Sequence, residues 1–299
     1  MKRIQIITPW RNSWIDPYIM AFADWGVQVA PKPSWDKPYD VRMFMWADDI
    51  AMNFINEDAR AVNNIVFLRR YEFFLPYWRK IDFSKVGHFI CVNDYYAKQV
   101  KEVIGDQCPV SVIYNGVDIE RWPYKKREHG KNIAMVCFVH WKKNLPLALQ
   151  ILSKLPEDYQ LHIAGAIQSP EVSIYLDHLA KSMKRQIIMY GQIPHDEMAL
   201  WLKDKNYVLS TSLTEGNPNN INEALAMGIK AIVHNWPGAV EQYGHLVFDT
   251  IDQAVHECSP QSKYESIEYR ELAENRFGSD QFLKVKKIAE QLCEQSLSV

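Results

Sequence analysis

The sequence predicts an α/β protein with two domains, and three observations carry this prediction. Short apolar segments with the pattern of buried strands alternate with segments of helical pattern along the whole chain. The chain has 299 residues, of which 47% are hydrophobic, so it is long enough for two separate cores. Between strands predicted at 207–210 and 230–233, a polar loop leads into a short helix, an arrangement that creates an anion site in an open α/β sheet.

Composition narrows the class of protein. The formal net charge is -2, which gives no overall attraction to nucleic acids or to anionic membranes. No apolar run approaches the roughly 18 residues of a membrane-spanning helix, and no signal peptide precedes the first strand, so we expect no transmembrane segment. The five cysteines are scattered without a Cys-x-x-Cys pair, which is typical of reduced thiols, and we therefore expect a cytoplasmic protein.

The N-terminal half has the pattern of a first Rossmann-like domain. Its predicted strands are 4–7, 26–29, 40–46, 65–68, 88–92 and 110–113. The loop after the first strand contains Trp10 and Arg11, and it lacks the glycines of a dinucleotide-binding loop. After the third strand, Asp48 and Asp49 allow two interpretations: a site for a cation or for acceptor hydroxyls, or an acidic helix start.

Two arginines follow the strand at 65–68. Arg69 and Arg70 stand beside aromatic residues, a combination that suits a phosphate, a carboxylate or a sugar ring. The alternative is a solvated ion pair with Glu72. The sequence leaves both interpretations open.

The C-terminal half has the pattern of a second Rossmann-like domain. Its predicted strands are 132–137, 160–165, 188–193, 207–210, 230–233 and one within 247–259. A helix is predicted over 145–154, a largely helical region over 260–276 and a closing amphipathic helix from 277 to about 294. The charged segment 125–131 ahead of this half is interpreted as a solvated linker.

The stretch 211–228 holds two carboxylates, Glu215 and Glu223, that frame the predicted anion site. Asn219 or Asn220 is expected to cap the helix that follows the loop. A capping box between Asn220 and Glu223 is a structural alternative for the second carboxylate, which would then only return a hydrogen bond to the cap.

This stretch resembles the Glu-x7-Glu segment of retaining glycosyltransferases with the GT-B fold, the family-4 type or glycosyl transferases group 1. The matching residues are Glu215, Gly216, Pro218, Asn219, Glu223, Ala224, Ala226 and Gly228. Asn217 stands where the family usually has an aromatic residue. Residues 114–118 are similar to the family's Asn-Gly-Val-Asp crossover between domains, and Lys143 with Asn144 is similar to its Lys-Asn pair. The family's arginine ahead of that lysine and its double-glycine loop after the first strand are missing.

The resemblance implies a fold and a division into domains. It implies a GT-B architecture, with two Rossmann-like domains facing across a cleft and a C-terminal helix that crosses back to the first domain. The implied units are an acceptor-side domain over 1–115, a nucleotide-sugar donor domain over 116–276 and a terminal helix over 277–299.

The resemblance also implies roles for residues of the donor domain. Lys143 would contact the donor diphosphate, Glu215 would contact the donor sugar and stabilise its positive ring, and Glu223 would accept hydrogen bonds from the ribose. Other donor-binding groups, mostly from the backbone, would come from Gly191, Gly216, Asn217, Asn219 and Asn220. His140, Trp141 or Lys142 would stand in for the missing arginine.

The implied function is transfer of a sugar from a nucleotide-diphosphate sugar to an acceptor hydroxyl with retention of the anomeric configuration. The implied acceptor-side candidates are Trp10, Arg11, Arg69 and Arg70. We expect no metal and no cofactor, since the sequence has no Asp-x-Asp and no His/Cys cluster. The alternatives are a nucleotide-sugar epimerase or hydrolase, with His140 and His234 as acid-base candidates, and a nucleotide-binding module without transfer. The sugar, the base, the acceptor and the oligomeric state stay open.

Overall fold

The chain folds into two α/β units. The structure, a computed structural model, describes residues 1–9, 13–35, 37–57 and 63–296. One unit comprises Met1–Gly116 with Ser279–Val299, and the other comprises Val117–Gly278. The predicted domain limits, after 115 and after 276, lie next to these divisions. Trp10 and Arg11, two of the acceptor-side candidates, lie outside the described residues.

The first unit contains a sheet of parallel strands. Its strands are β1 (Arg3–Ile7), β2 (Gly26–Ala30), β3 (Val41–Phe44), β4 (Asn64–Leu68), β5 (His88–Cys91) and β6 (Val110–Val112). Their order across the sheet is β2-β1-β3-β4-β5-β6, and each neighbouring pair is parallel. The helices of this part of the chain are α1 (Asp16–Ala21), α2 (Asp49–Glu57) and α3 (Asp94–Ile104). Strand β4 is buried along its whole length, which explains its nearly continuous apolar sequence.

The aspartate pair lies at the start of α2. Oδ1 of Asp48 accepts a hydrogen bond from the backbone N–H of Ala51 at 3.0 Å, and Asp49 is the first residue of the helix. Among the described residues, no three His, Cys, Asp or Glu side chains are grouped so that they could hold a metal ion. The position of the aspartates at a helix start is therefore confirmed, and a contact with acceptor hydroxyls stays a prediction.

The second unit contains a similar parallel sheet. Its strands are β7 (Asn132–Val136), β8 (Gln160–Ala164), β9 (Ile187–Gly191), β10 (Tyr207–Ser210), β11 (Lys230–His234) and β12 (Val247–Phe248). Their order is β12-β11-β10-β7-β8-β9, and all the pairs are parallel. This order places β7 and β10 side by side in the middle of the sheet, so the loops that follow them leave the same edge. The α/β prediction is confirmed for both halves of the chain.

The helices of the second unit connect these strands. They are α4 (Leu145–Lys154), α5 (Pro170–Ser182), α6 (Met198–Leu202), α7 (Asn219–Ala226), α8 (Ala239–Tyr243), α9 (Ile251–Glu257) and α10 (Ser266–Phe277). The prediction of a strand and a connection over 247–259 is wrong in part, because α9 begins there with a capping box between Thr250 and Gln253. No helix within the described ranges is long and apolar enough to cross a membrane.

The last helix, α11 (Asp280–Ser296), packs on the first unit. Its apolar face shares one core with β1 and α1, and the rings of Phe282 and Tyr18 lie 4.8 Å apart. A Cβ atom on Gly116 would lie 2.4 Å from the Phe282 ring, so the glycine after Asn115 is required for space. The helix begins at Asp280 rather than at 277, because Phe277 is the last residue of α10.

The linker interpretation of 125–131 is wrong for Arg127. Its guanidinium donates hydrogen bonds to the carbonyls of Met227, Lys203 and Lys205 at 3.1, 2.8 and 2.9 Å. Burial lowers its pKa, although the group stays charged. Arg127 thus ties this segment to the ends of α6 and α7.

Candidate functional site

A pocket opens at the carboxyl edge of the sheet in the second unit. Its volume is about 330 Å³, and it is lined by the loop after β7, the ends of β8 and β9 and the first turn of α7. The lining residues are Val136, Cys137, Phe138, Lys143, Ala164, Gly165, Gln192, Ile193, Met198, Asn219 and Asn220. The structure therefore brings three predicted donor-site residues, Lys143, Asn219 and Asn220, to one pocket.

Lys143 contacts Glu215 at this pocket. The Nζ atom of Lys143 lies 2.5 Å from Oε1 of Glu215, and their side chains are 25% and 12% exposed. The hydroxyl of Ser212 donates to the same carboxylate oxygen at 2.7 Å. The two predicted catalytic residues, far apart in the sequence, thus form one ion pair with a fixed geometry.

The backbone around this ion pair is fixed from both sides. The N–H of Leu213 donates to the carbonyl of Lys142 at 2.9 Å, and the hydroxyl of Thr211 donates to the carbonyl of Lys143 at 2.8 Å. Lys143 ends a 3-10 turn, and Asn144 follows it in the left-handed conformation with φ 47° and ψ 47°. These contacts join the loop after β7 to the loop after β10.

Gly165 allows the ends of β7 and β8 to approach closely. A Cβ atom at this position would lie 1.9 Å from the carbonyl oxygen of Cys137, and the φ angle of the glycine is +156°. Its N–H donates to the carbonyl of Gly191 at 2.7 Å. Gly165 therefore lines the pocket at a point where the backbone has no room for a side chain, and its hydrogen bond connects the predicted donor-site residue Gly191 to this pocket.

The first turn of α7 corrects the predicted capping. The N-cap residue is Pro218, which forms no capping hydrogen bond through its side chain, and Asn219 and Asn220 already belong to the helix. The predictions of Asn219 or Asn220 as cap, and of an Asn220–Glu223 capping box, are therefore wrong. The side chain of Asn220 instead donates to the carbonyl of Val136 at 2.9 Å. The N–H groups that open a helix have no carbonyl partner in a preceding turn, so those of Asn219 and Asn220 can serve an anion in the pocket, whereas the N–H of Ile221 donates to the carbonyl of Pro218 at 3.2 Å.

Glu223 pairs with a histidine that the sequence did not reveal as its partner. Nε2 of His195 lies 2.8 Å from Oε1 of Glu223, whose side chain is only 9% exposed. The His195 ring also packs edge-on against Trp122, with centroids 5.4 Å apart. No spacing in the sequence links His195 to Glu223, because the contact depends on how the segment after β9 folds over α7.

We expect this pair to stabilise the fold more in mildly acidic than in alkaline solution. Its hydrogen bond to Glu223 raises the pKa of His195 above the ordinary value. Such a group gives its full stabilisation below its unfolded pKa of about 6.5 and loses it as the pH rises through the higher folded value. Since the His195 side chain is 41% exposed, solvent screening limits the effect to less than about 1 kcal/mol.

The measurement is the unfolding midpoint of wild type and of His195→Gln between about pH 5.5 and about pH 9. The difference between the two midpoints should shrink as the pH rises. His178→Gln, on the exposed side of α5, is the control for losing an imidazole. Two parallel curves for wild type and His195→Gln would contradict the prediction.

The two histidines named as acid-base candidates, His140 and His234, contact backbone groups. Nδ1 of His140 accepts a hydrogen bond from the N–H of Lys142 at 3.2 Å, which makes His140 the cap of the turn that carries Lys143. Nδ1 of His234 lies 3.1 Å from the carbonyl oxygen of Ser212 and must carry the proton, since a carbonyl only accepts. A donor-binding role for His140 stays a prediction.

The arginine candidates lie in the first unit. The guanidinium of Arg69 donates to the carbonyl of Met45 at 3.3 Å and to the side chain of Asn115, and it lies 4.6 Å from the ring of Trp14. Glu72 is fully buried and accepts hydrogen bonds from backbone N–H groups, so the solvated ion pair with Glu72 is wrong. Burial raises the pKa of Glu72. Arg70 is half-buried, and the acceptor-side roles of both arginines stay predictions.

Comparison with known proteins identifies the family. The family model described as glycosyl transferases group 1 matches residues 117–267, just over half of the chain. No curated protein sequence matches the chain.

Solved glycosyltransferase structures share the whole fold. A glycosyltransferase from Rickettsia africae is 14% identical, with a TM-score of 0.73 over 97% of this chain and 98% of its own. The Anabaena protein HepE, solved in complex with UDP, is 14% identical, with a TM-score of 0.74 over 100% of both chains. Sucrose-phosphate synthase from Thermosynechococcus elongatus is 11% identical, with a TM-score of 0.77 over 98% of this chain and 99% of its own. Together with the family match, this shared architecture shows that the chain belongs to the glycosyl transferases group 1 family and has the GT-B fold.

Proposed function

We propose that this protein is a retaining glycosyltransferase that takes its sugar from a nucleotide-diphosphate donor and needs no divalent metal. The observation that carries the proposal is the position of Lys143, which lines one pocket with the first turn of α7 and pairs with Glu215. A cation and free backbone N–H groups at one anion-sized opening suit a diphosphate. HepE, a structural neighbour, was solved in complex with UDP, which supports this choice of ligand.

The charge requirement of the reaction explains why Lys143 would be the main catalytic group. Negative charge grows on the diphosphate as its bond to the anomeric carbon breaks. A helix N-terminus contributes about 0.3 to 1 kcal/mol toward an anion, and enzymes need roughly 8 kcal/mol or more of barrier reduction. The helix α7 is therefore insufficient by itself, and a partly buried lysine is the natural partner.

The remaining donor contacts follow from the two carboxylates. Glu215, held beside Lys143, would contact the sugar hydroxyls and stabilise the positive ring of the transition state. Glu223, nearly buried but hydrogen-bonded to the exposed His195, would accept hydrogen bonds from the ribose hydroxyls. The acceptor hydroxyl would attack from the face that the diphosphate leaves, and its proton would pass to a phosphate oxygen as the new glycosidic bond forms.

Metal independence is part of the proposal. Lys143 and the N–H groups of Asn219 and Asn220 together would supply the positive charge that a divalent ion supplies in other sites. The protein would then need no cofactor besides its donor substrate. A panel of nucleotides with and without magnesium tests this point directly.

The acceptor and the cellular location are also proposals. Arg69 and Arg70 follow β4 at the carboxyl edge of the first sheet, where ligands bind in open α/β folds. We propose them as acceptor-side residues. All five cysteines are free thiols, which supports the proposal of a cytoplasmic protein.

The experiment is a thermal-shift panel with UDP, GDP, ADP and their sugar conjugates, each with and without magnesium. A ligand at about a hundred times its dissociation constant adds roughly 2.7 kcal/mol of stability, which raises the midpoint by several degrees. We expect one base to give this shift, with no further effect of magnesium. A shift that requires magnesium would contradict metal independence, and no shift with any nucleotide would leave the binding site without support.

Glu223→Gln is the matched variant for this panel. It keeps the size of the side chain and removes the charge that would attract the ribose hydroxyls, so most of the nucleotide shift should be lost. Glu241→Gln, on an exposed part of α8, controls for the loss of one negative charge. A Glu223→Gln protein with an unchanged shift would remove the ribose role from this residue.

A further inference from the structure

A buried chain of hydrogen-bonded amides lies directly beside Glu215. The hydroxyl of Tyr243 donates to Oδ1 of Asn222 at 2.9 Å, and Nδ2 of Asn222 donates to Oδ1 of Asn217 at 3.0 Å. Nδ2 of Asn217 then donates to Oε1 of Gln242 at 2.7 Å. The chain ends where Nε2 of Gln242 donates to the carbonyl of Gly216 at 2.8 Å.

These four side chains are almost inaccessible to solvent. Asn222 and Gln242 are 0% exposed, Tyr243 is 1% exposed and Asn217 is 4% exposed. Each amide donates to the next acceptor in one direction, so the bonds reinforce one another in a low-dielectric interior. Because water does not replace a lost partner there, each bond is costly to break. The chain is therefore a rigid connection rather than an adaptable surface contact.

Helix α8, which carries Gln242 and Tyr243, is held in place by α10. The guanidinium of Arg276 donates to the carbonyls of Glu241 and Gln242 at 2.5 and 2.9 Å, at the end of α8. The ring of Tyr243 packs against Phe277 of α10 with centroids 5.6 Å apart. Helix α8 has only a few residues of its own, so these contacts give Gln242 its fixed position.

We infer that Gln242 and Asn217 are positioning residues that hold the loop 215–218 in the conformation in which Glu215 faces the donor sugar. The inference rests on the proposed function, because it takes the sugar-side role of Glu215 from there. Gly216 lies between Glu215 and Asn217. Gln242 donates a hydrogen bond to the carbonyl of Gly216 and accepts one from the side chain of Asn217. With its backbone fixed at both residues, the loop presents Glu215 to Lys143 on one side and begins α7 on the other.

The departure from the family pattern at 217 fits this role. An aromatic residue at this position would fix the loop by packing alone. Asn217 instead fixes it by hydrogen bonds, which need polar partners on the helices nearby. Asn222 of α7 and Gln242 of α8 are these partners. The three amides thus form one unit, and changing one member leaves polar groups of the others unsatisfied.

The test compares Gln242→Met with wild type by amide hydrogen exchange. Methionine has nearly the shape of glutamine but cannot hold Asn217 and Gly216. The N–H groups of Ile221 and Asn222, which donate to the loop carbonyl of Pro218 at 3.2 and 3.4 Å, should therefore exchange about ten times faster or more. Segment 145–154, in α4, should keep its exchange rate. Asn217→Ala removes the hydrogen bonds to Gln242 and Asn222 by shortening the side chain, and it should give the same result.

Binding provides the second readout, with UDP and UDP-glucose as the probes. If the loop presents Glu215 to the sugar, Gln242→Met should lower the affinity for UDP-glucose about tenfold and leave that for UDP within about threefold. Tyr159→Phe removes a buried hydrogen bond to the Cys258 carbonyl elsewhere in the unit and should change neither affinity. Tyr243→Phe removes only the distant end of the chain and should have the smaller effect on exchange.

The outcomes separate this inference from the proposed function. Unchanged exchange of the Ile221 and Asn222 N–H groups in both Gln242→Met and Asn217→Ala would overturn the inference. Equal losses of affinity for UDP and UDP-glucose would overturn it as well, because they would indicate general damage to the unit. If wild type binds no nucleotide or nucleotide sugar of the thermal-shift panel, the proposed role of Glu215 toward the sugar fails with the proposed function, while the exchange measurement still decides whether the amides hold the loop.

Discussion

Lys143→Ala is expected to reduce turnover by about 100- to 1000-fold, the range typical of losing one preorganised group that stabilises transition-state charge. Lys143 is the one cationic side chain among the residues that line the pocket. Its removal would leave the carboxylate of Glu215 close to the diphosphate without a compensating charge, so donor binding should weaken too. The measurement is kcat and KM with the nucleotide sugar that gives the largest thermal shift.

The neighbouring lysine provides the control for this variant. Lys142 belongs to the same 3-10 turn, but its Nζ lies 5.5 Å from the ring of Trp141 and it does not line the pocket. Lys142→Ala should therefore keep turnover within about threefold of wild type, and a larger loss would support Lys142 as the stand-in for the missing family arginine. Full activity of Lys143→Ala would take the main catalytic role away from this lysine. Nucleotide binding without any turnover in wild type would instead favour the binding-module alternative.

Gly165→Ala is expected to destabilise the second unit by about 3 kcal/mol or more, because the added methyl would force two backbone segments apart. The added methyl would lie 1.9 Å from the carbonyl oxygen of Cys137, which is a backbone atom and cannot rotate away. The ends of β7 and β8 would have to separate, and both line the pocket. The measurement is chemical denaturation together with the thermal shift given by the nucleotide.

Gly244→Ala separates the steric effect from backbone strain. Gly244 has a φ of +56°, and a Cβ atom there would meet no atom within 4 Å. This variant should lose about 1 to 3 kcal/mol, the cost of holding alanine at φ +56° and ψ −123°, outside the regions that residues with a Cβ populate. If Gly165→Ala is no less stable than Gly244→Ala, the close approach at Cys137 is not a constraint on the fold.

The strands, and the position of Glu215 and Lys143 at one edge of a sheet, were predictable because their signals are local. A parallel strand covered on both faces needs an apolar run, and β1, β4 and β10 each show one in a few residues. The order of strand, loop and helix placed Glu215 and the start of α7 at one edge of the sheet. A neighbouring strand with the same order brought Lys143 to that edge, and the structure joins it to Glu215.

Local patterns failed where a distant partner decides the role of a residue. Lys230 stands within a buried strand, and the sequence gives no reason for a charge there. Its ammonium lies 2.6 Å from Oε2 of Glu257, the last residue of α9, and donates to Ser262 at 2.8 Å, so the charge is compensated by residues at and after the end of that helix. The prediction of Arg127 as solvated is wrong for the same reason, since its three carbonyl partners lie at helix ends elsewhere in the unit.

The α/β class and the strands of both sheets thus follow from the periodicity of adjacent residues, and the interest of Glu215, Glu223 and Lys143 follows from their resemblance to a family motif. The pairing of Glu223 with His195, the lack of a capping box at α7 and the place of Asn217 in a buried amide chain become visible only in the folded chain. These three outcomes depend on contacts between segments far apart in the chain. Such contacts are set by the packing of helices on the sheet, which no single stretch of sequence encodes.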